Sequence, residues 1–302
     1  MNIQGENKSK NNFIGLLPLW LIMGIFMIGP LAVMAFVSIM EANSYGGIHL
    51  KFDLSGYRQI LFDTNLFDVM EFNPAYLIII GRSFVLAVAA TIISLLIGFP
   101  VAYYISRQKD SVKNILIFLV TIPFWTNLLI RTFAWIIILG KDGVIENSFS
   151  FIGIINDEDS LNLMYTNTAI LIGLVYSYIP LMVLPIFSSM EKLDVRLIEA
   201  ASDLYSNRIN LILKVILPLT LPGIIGGSIL VFVPSLGAFI APDLLGGGKK
   251  LLLGSLIQFQ FSYARNWPFG AAMAMFLLAL VIIILIFNAK LNRRHREYET
   301  QR

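Results

Sequence analysis

Hydrophobic positions along this chain gather into runs longer than about 18 residues, the length at which an apolar segment reads as a membrane-spanning helix. Six such runs are present, over roughly 13–40, 79–105, 114–140, 168–190, 213–241 and 270–290. At about 1.5 Å per helical residue each can cross a hydrocarbon layer of about 30 Å, and several can tilt or extend beyond it. The first run follows a polar start, MNIQGENKSKNN, and is too long for the apolar core of a signal peptide, so it reads as a retained span. The pattern predicts an all-α integral membrane protein with six transmembrane helices.

Composition agrees. Of 302 residues 57% are hydrophobic and only 14% charged, with a mean hydropathy of +0.77. A soluble domain of this size needs far more polar surface. Cysteine is absent, which excludes disulfides and thiolate metal sites, and His49 and His295 lie too far apart in sequence to suggest a ligand cluster. No metal site is expected. No Gly- or Ser-rich linker divides the chain, so it reads as one transmembrane domain, 1–302. Residues 1–40 would form the tail and a first span with a peripheral place open to it, and 79–290 the core bundle.

Charge adds orientation. With six spans both termini share a side, and that side carries Lys8, Lys10, Arg107, Lys109, Lys113, Lys192, Arg196, Arg208, Lys214, Lys290, Arg293, Arg294, Arg296 and Arg302. The opposite side carries Lys51, Arg58, Lys141, Lys249, Lys250 and Arg265. The positive-inside bias places both termini in the cytoplasm. The outer segments, about 41–78, 141–167 and 242–269, include Asp63, Asp68, Glu71, Asp157, Glu158, Asp159 and Asp243. Ordinary loop solvation accounts for these acids, and so does an outer face that attracts a cation.

Between spans four and five lies EKLDVRLIEAASDLYSNRINLI (191–212). Asp194 can cap a helix that carries Ile198, Ala201 and Tyr205 along one stripe. Ala200 and Ala201 remove side-chain bulk, and Ser206-Asn207 supplies a turn and a cap for the helix entering span five. A solvated loop is the plainer reading of the same residues.

This stretch resembles the EAA motif of permease subunits of binding-protein-dependent ABC importers: Glu-Ala-Ala, three residues, Gly, nine residues, Ile-x-Leu-Pro. The chain supplies Glu199-Ala200-Ala201 and, at matching spacing, Val215-x-Leu217-Pro218, with Tyr205 where the family has Gly. That Gly would suit a left-handed helix end, so either Tyr205 is strained or the turn moves to Ser206-Asn207. The segments PFWTNLLIRTFAWIIILGKDGVI (123–145) and PSLGAFIAPDLLGGGKKLLLGSLIQFQFSYARNWPFGAA (234–272) are similar to the polyamine branch of the family, and the likeness extends over nearly the whole chain.

The resemblance implies a type I ABC importer permease (MetI-like) fold with a cytoplasmic coupling helix, in a bacterial inner membrane. It implies that Glu199, Ala200, Ala201, Asp203, Leu204 and Tyr205 meet an ATPase subunit. It also implies partners: a second, homologous permease, two ATPase subunits that bind ATP and Mg, an extracytoplasmic polyamine-binding protein and the lipid bilayer. No nucleic-acid partner and no cofactor of the chain's own are expected. GGGKK (246–250) lacks the Ser or Thr and the leading Gly of a phosphate loop, so it reads as a basic turn and the chain is not expected to hydrolyse ATP.

A polyamine is a flexible polycation, which calls for carboxylates and aromatic faces. The candidates are Asp243, after Pro242 at the outer end of span five, Phe239 one helical turn before it, and Trp125 and Tyr178 from spans three and four. Capping or solvating a helix end for Asp243, and packing or interfacial belts for the aromatics, are the plainer readings. Arg131 sits within the third run. Either it lies inside the bilayer, or Pro123 and Asn127 end the crossing early and Arg131 snorkels at the outer interface. Pro218, Pro222, Gly223, Gly226, Gly227, Pro234 and Gly237 should weaken the regularity of span five or serve its packing. The alternatives are a permease of the same class carrying an iron chelate or phosphonate, and an ion-coupled secondary transporter. The scarcity of acids within the spans weighs against the latter.

Overall fold

The structure, a computed structural model, describes residues 4–43, 45–64, 70–153, 161–194, 196–197, 201 and 207–300. It is predominantly helical. Among the described residues five helices are long and apolar enough to cross a membrane: within α1 (Gln4–Val37) the stretch Pro18–Val37, then α3 (Ala75–Ser106), α7 (Asn167–Glu191), the run Ile209–Gly237, and Trp267–Lys290 within the last helix. A bent pair of helices makes a sixth crossing if the two count as one span. The run read as a continuous third span is two helices, α4 (Asp110–Trp125) and α5 (Leu128–Leu139), with the short α6 (Val144–Phe151) after them, and the segment turns by 92° at the α4–α5 junction.

The chain divides into two compact units, Met1–Pro74 with Ile257–Arg302, and Ala75–Leu256. In the first, α1 packs against the terminal helix α12 (Trp267–Thr300). Between α1 and α3 the chain forms two small antiparallel ribbons, β1 (Met40–Ala42) with β2 (Ile48–Phe52) and β3 (Phe62–Thr64) with β4 (Met70–Phe72), flanking a single helical turn, α2 (Ser55–Arg58). The β1–β2 turn uses Gly46 and Gly47 at φ of 96° and 90°, backbone that side-chain-bearing residues rarely adopt. The Asp53 carboxylate accepts the Ser55 amide hydrogen at 3.0 Å. Hydrogen bonds from Ser55 hold that carboxyl below the usual range. The ribbons were not anticipated from the hydrophobic runs.

The second unit is built on α3, α7 and α9 (Leu217–Gly237), which pack on one another. Their shared centre is Met182, fully buried, which fits because its neighbours lack side chains. A Cβ on Gly98 of α3 would stand 3.0 Å from Met182 Cγ, and one on Gly227 of α9 3.0 Å from its Sδ. One turn away, a Cβ on Gly223 would overlap Ser189 and the Pro185 carbonyl of α7. Small residues four apart thus set the close approach of α9 to α7, the usual device for helix packing in lipid.

Two buried clusters run along this unit. One gathers Ala102, Ile105, Ile186, Met190, Ala201, Leu211 and Ile216; the other gathers Leu86, Ala90, Leu139, Ile170, Leu174, Ala241 and Leu245. Tyr178 and Ile179 pack against both. α9 stays one helix through Pro222 and Pro234, so its prolines and glycines do not break it. The irregularity lies just upstream: α8 (Arg208–Leu211) passes into a π-helical turn, Ile212–Ile216, where the Leu217 amide donates to the Ile212 carbonyl. Pro218, which has no N–H to donate, follows at the entrance to α9.

Candidate functional site

The break in the third crossing is local in origin. Thr126 and Asn127 are extended, with ψ of 144° and 134°, and the Asn127 side chain accepts the Leu129 amide hydrogen at 2.8 Å. It therefore caps a new helix rather than continuing the old one. Trp125, the last residue of α4, is 78% exposed. Pro123 lies inside α4, two residues before its end.

Arg131, in the first turn of α5, is half-buried. Its Nε and Nη1 are buried and have no hydrogen-bond partner. It lies close enough to Tyr178 of α7 for its charge to act on the phenol. The Tyr178 hydroxyl donates to the Pro234 carbonyl of α9 at 3.4 Å. The early end of α4 is thus observed, and two of the three guanidinium nitrogens of Arg131 are buried in the bundle.

Asp243 lies in α10 (Ile240–Gly246), which packs on both α5 and α7, and Phe239 stands at its entrance. Phe239 precedes the helix, and its carbonyl accepts the Asp243 amide hydrogen at 2.9 Å. The Asp243 carboxylate is half-exposed, and no cation of the described residues pairs with it. It is the Asp243 backbone carbonyl that ends the helix, accepting from Gly247 and, at 3.2 Å, from Gly248. Both glycines are left-handed, and a Cβ on Gly247 would run into the Tyr165 ring. GGGKK is accordingly the turn that closes α10. No hydrogen bond or ring pair among the described residues joins Trp125 to Tyr178, Phe239 or Asp243.

Of the segment expected to meet an ATPase, Glu199, Ala200, Asp203, Leu204 and Tyr205 lie outside the described residues. Asp194 accepts the Arg196 amide hydrogen at 2.9 Å, and Asn207 accepts that of Ile209 at 3.0 Å, so both flanks are capped where the sequence places caps. Ala201 is 7% exposed and packs in the chain's own cluster with Ile105, Met190 and Ile216. Its missing bulk is used by this bundle. Sequence reasoning did not find Ser83 of α3, whose buried hydroxyl accepts the Leu253 amide hydrogen at 2.8 Å at the start of α11 (Leu253–Ser262). A lone serine in an apolar run gives no signal of such a tie.

Residues 90–297 match the family described as binding-protein-dependent transport system inner membrane component. The chain is 37% identical over 288 residues to the spermidine/putrescine transport system permease protein PotB of Haemophilus influenzae, covering 95% of this chain and 96% of that one. It is 35% identical over 274 residues to PotB of Escherichia coli, covering 91% and 94%. Among solved structures, a bacterial alginate ABC transporter in complex with an alginate-bound periplasmic protein has a chain that superposes with a TM-score of 0.70 at 17% identity, covering 95% of this chain and 96% of that one. At that identity the likeness speaks for the fold, which is that of the ABC-transporter permeases. The matched family, the extent of the relatives and the helical bundle agree: this chain belongs to the inner-membrane components of binding-protein-dependent transport systems.

Proposed function

We propose that the chain is the permease subunit of an ATP-driven importer of polyamines, spermidine or putrescine. The observation that carries this reading is the 37% identity to a spermidine/putrescine permease across nearly the full length of both chains. It pairs with a second, homologous permease to form the pathway. Two ATPase subunits bind ATP and Mg and hydrolyse it, and the segment around Glu199–Tyr205 docks on one of them. An extracytoplasmic binding protein delivers the cargo, and both termini face the cytoplasm.

Asp243 is the carboxylate best suited to meet an ammonium group, because it is half-exposed and unpaired beside Phe239 at the end of the bundle that this orientation places outside. Replacement in Asp243→Asn keeps the shape and removes the charge. It should raise the apparent KM for uptake about tenfold, the scale of one charge-assisted contact. An unchanged KM removes Asp243 from the path.

The reading as a whole is tested by uptake of labelled spermidine and putrescine into cells that lack their own polyamine permease and carry this chain with its importer partners. Uptake that needs both this chain and a functional ATPase supports it. Uptake of an iron chelate or phosphonate without polyamine uptake transfers the chain to another cargo, and polyamine uptake without any ATPase overturns the mechanism.

A further inference from the structure

The two ribbons between α1 and α3 each have one apolar and one polar face. In β2 the residues alternate: Ile48, Leu50 and Phe52 point one way, His49 and Lys51 the other. The register carries the pattern to β1, with Ala42 opposite Ile48, Met40 opposite Phe52, and Glu41 opposite His49. The polar face closes on itself through the Lys51–Glu41 ion pair at 3.3 Å. The apolar face is left open: Leu50 and Phe52 are 82% and 66% exposed.

The second ribbon repeats the arrangement. Phe62 stands opposite Phe72, and their rings meet edge-on with centroids 6.1 Å apart. Met70 shares the face of Phe72, and Glu71 between them takes the other. Phe62, Met70 and Phe72 are all exposed. A two-stranded ribbon is marginal in water unless its apolar face is packed, and these faces have no cover within the chain.

The height of the ribbons is set by what they are tied to. Met40 follows the end of α1 by three residues, and Phe72 precedes the start of α3 by three. At up to about 3.6 Å per residue, each of those strand ends lies within about 11 Å of a membrane-spanning helix. The first ribbon is also fixed to the beginning of the last span. The Gly47 amide donates to the Arg265 carbonyl at 3.3 Å. α2 sits so closely on the first turn of α12 that a Cβ on Gly56 would stand 3.2 Å from the Pro268 carbonyl oxygen. Trp267, which opens that span, and Tyr263 before it are exposed aromatics of the kind that mark the boundary between hydrocarbon and headgroups.

We infer that the apolar faces of both ribbons rest in the lipid interface at this end of the spans. Leu50, Phe52, Phe62, Met70 and Phe72 lie at the boundary of headgroups and acyl chains, and the Glu41–Lys51 pair faces water. Amphipathic segments in that layer sink their apolar face by about 5–10 Å, a depth the short tethers allow. The α1 surface that the first ribbon continues is itself apolar and exposed up to Val33 and Phe36, so lipid already covers the neighbouring residues. A soluble partner would have to reach down to this layer and would strip the ribbons whenever it left. The bilayer is always present. The inference goes beyond the transport reading and needs only that α1 and α12 span; the orientation proposed above makes this the outer leaflet.

The test uses the chain with its importer partners in liposomes of phosphatidylcholine and phosphatidylglycerol. The sequence has no cysteine, so Leu50→Cys, Phe72→Cys and, on the polar face, His49→Cys each carry an environment-sensitive fluorophore without background. Labels at Leu50→Cys and Phe72→Cys should emit to the blue of the His49→Cys label. They should be quenched by phosphatidylcholine bearing a nitroxide near its glycerol and shielded from aqueous iodide. The His49→Cys label should show the reverse. Met70→Cys repeats the reading where Phe72→Cys disturbs the contact with Phe62, and co-purification of the partners shows each variant intact. Equal iodide quenching at Leu50→Cys and His49→Cys overturns the inference by placing both faces in water. So does a Leu50→Cys label that nitroxide lipid cannot reach. Shielding that appears only with a soluble binding protein then assigns the face to that protein, and a crosslink to the second permease assigns it to that subunit. None of these readings depends on the cargo or on which leaflet is outer, so transport of another substrate leaves them standing.

Discussion

Helix α9 and the α4–α5 pair contrast in a way that proline counting does not anticipate. α9 contains Pro218, Pro222 and Pro234 and still runs unbroken from Leu217 to Gly237. The α4–α5 segment contains one proline, Pro123, and turns by 92° three residues later. The difference lies in what surrounds them. α9 packs on both α3 and α7, meeting α7 closely at Gly223 and Gly227, so neighbouring helices enforce its course. α4 buries nothing, and Asn127 offers the backbone a better alternative by capping a fresh helix. Packing on one side and capping on the other decide the outcome, and proline follows.

The largest effect should come from breaking the packed side of this contrast. A Cβ at Gly223 or Gly227 meets α7, whereas one at Gly226 meets nothing within 4 Å. Gly223→Val and Gly227→Val should therefore each destabilise the subunit by about 3 kcal/mol, the upper end for overpacking. Gly226→Val should change it by less than about 0.5 kcal/mol, the range of substitutions away from packed features. Thermal unfolding in detergent compares the three. Equal effects would show that helix propensity, not the approach to α7, governs α9.

A smaller effect of opposite sign is expected at the broken side. Arg131 has two buried guanidinium nitrogens without acceptors, at the N-terminal end of α5 where the helix dipole also opposes a cation. Leaving buried donors unsatisfied costs about 1–3 kcal/mol, a cost that an apolar residue of similar length avoids. Arg131→Met should raise the thermal midpoint of the isolated subunit. A fall would mean that the guanidinium is paired in the folded protein, and the intramembrane reading of its cost would be wrong.

Much of this was legible in the sequence, for identifiable reasons. Continuous apolar runs place spans directly, because a helix in lipid must be apolar over its whole length. The caps at Asp194 and Asn207 are local chemistry and lie where the residue types put them. The ribbon of β1 and β2 was legible but passed over: Ile48-His49-Leu50-Lys51-Phe52 alternates with a period of two after Gly46-Gly47, a signal masked by the longer runs around it. What could not be read was tertiary. Ala201 sits among charged neighbours, yet it is buried in one cluster with Ile105 and Met190 by the folding of helices distant in sequence. The burial of two guanidinium nitrogens of Arg131 is of the same kind, since it depends on where α7 and α9 come to rest.

The smallest effect is the one that separates the two explanations of the bend. If proline breaks the third crossing, Pro123→Ala should straighten it. If the Asn127 cap and the extended Thr126 set it, Pro123→Ala should leave the angle alone. Asn127→Ala should then cost about 1 kcal/mol by leaving the Leu129 amide without its acceptor. The absence of native cysteine allows spin labels at Lys113→Cys and Ile137→Cys without background. Their separation is short when the helices meet near a right angle. A continuous helix spanning the 24 positions between them would place them about 36 Å apart, at 1.5 Å per residue. Distances unchanged by Pro123→Ala and broadened by Asn127→Ala would assign the break to the cap. A shift toward the long distance in Pro123→Ala would return it to the proline, and the contrast with α9 would then rest on packing alone.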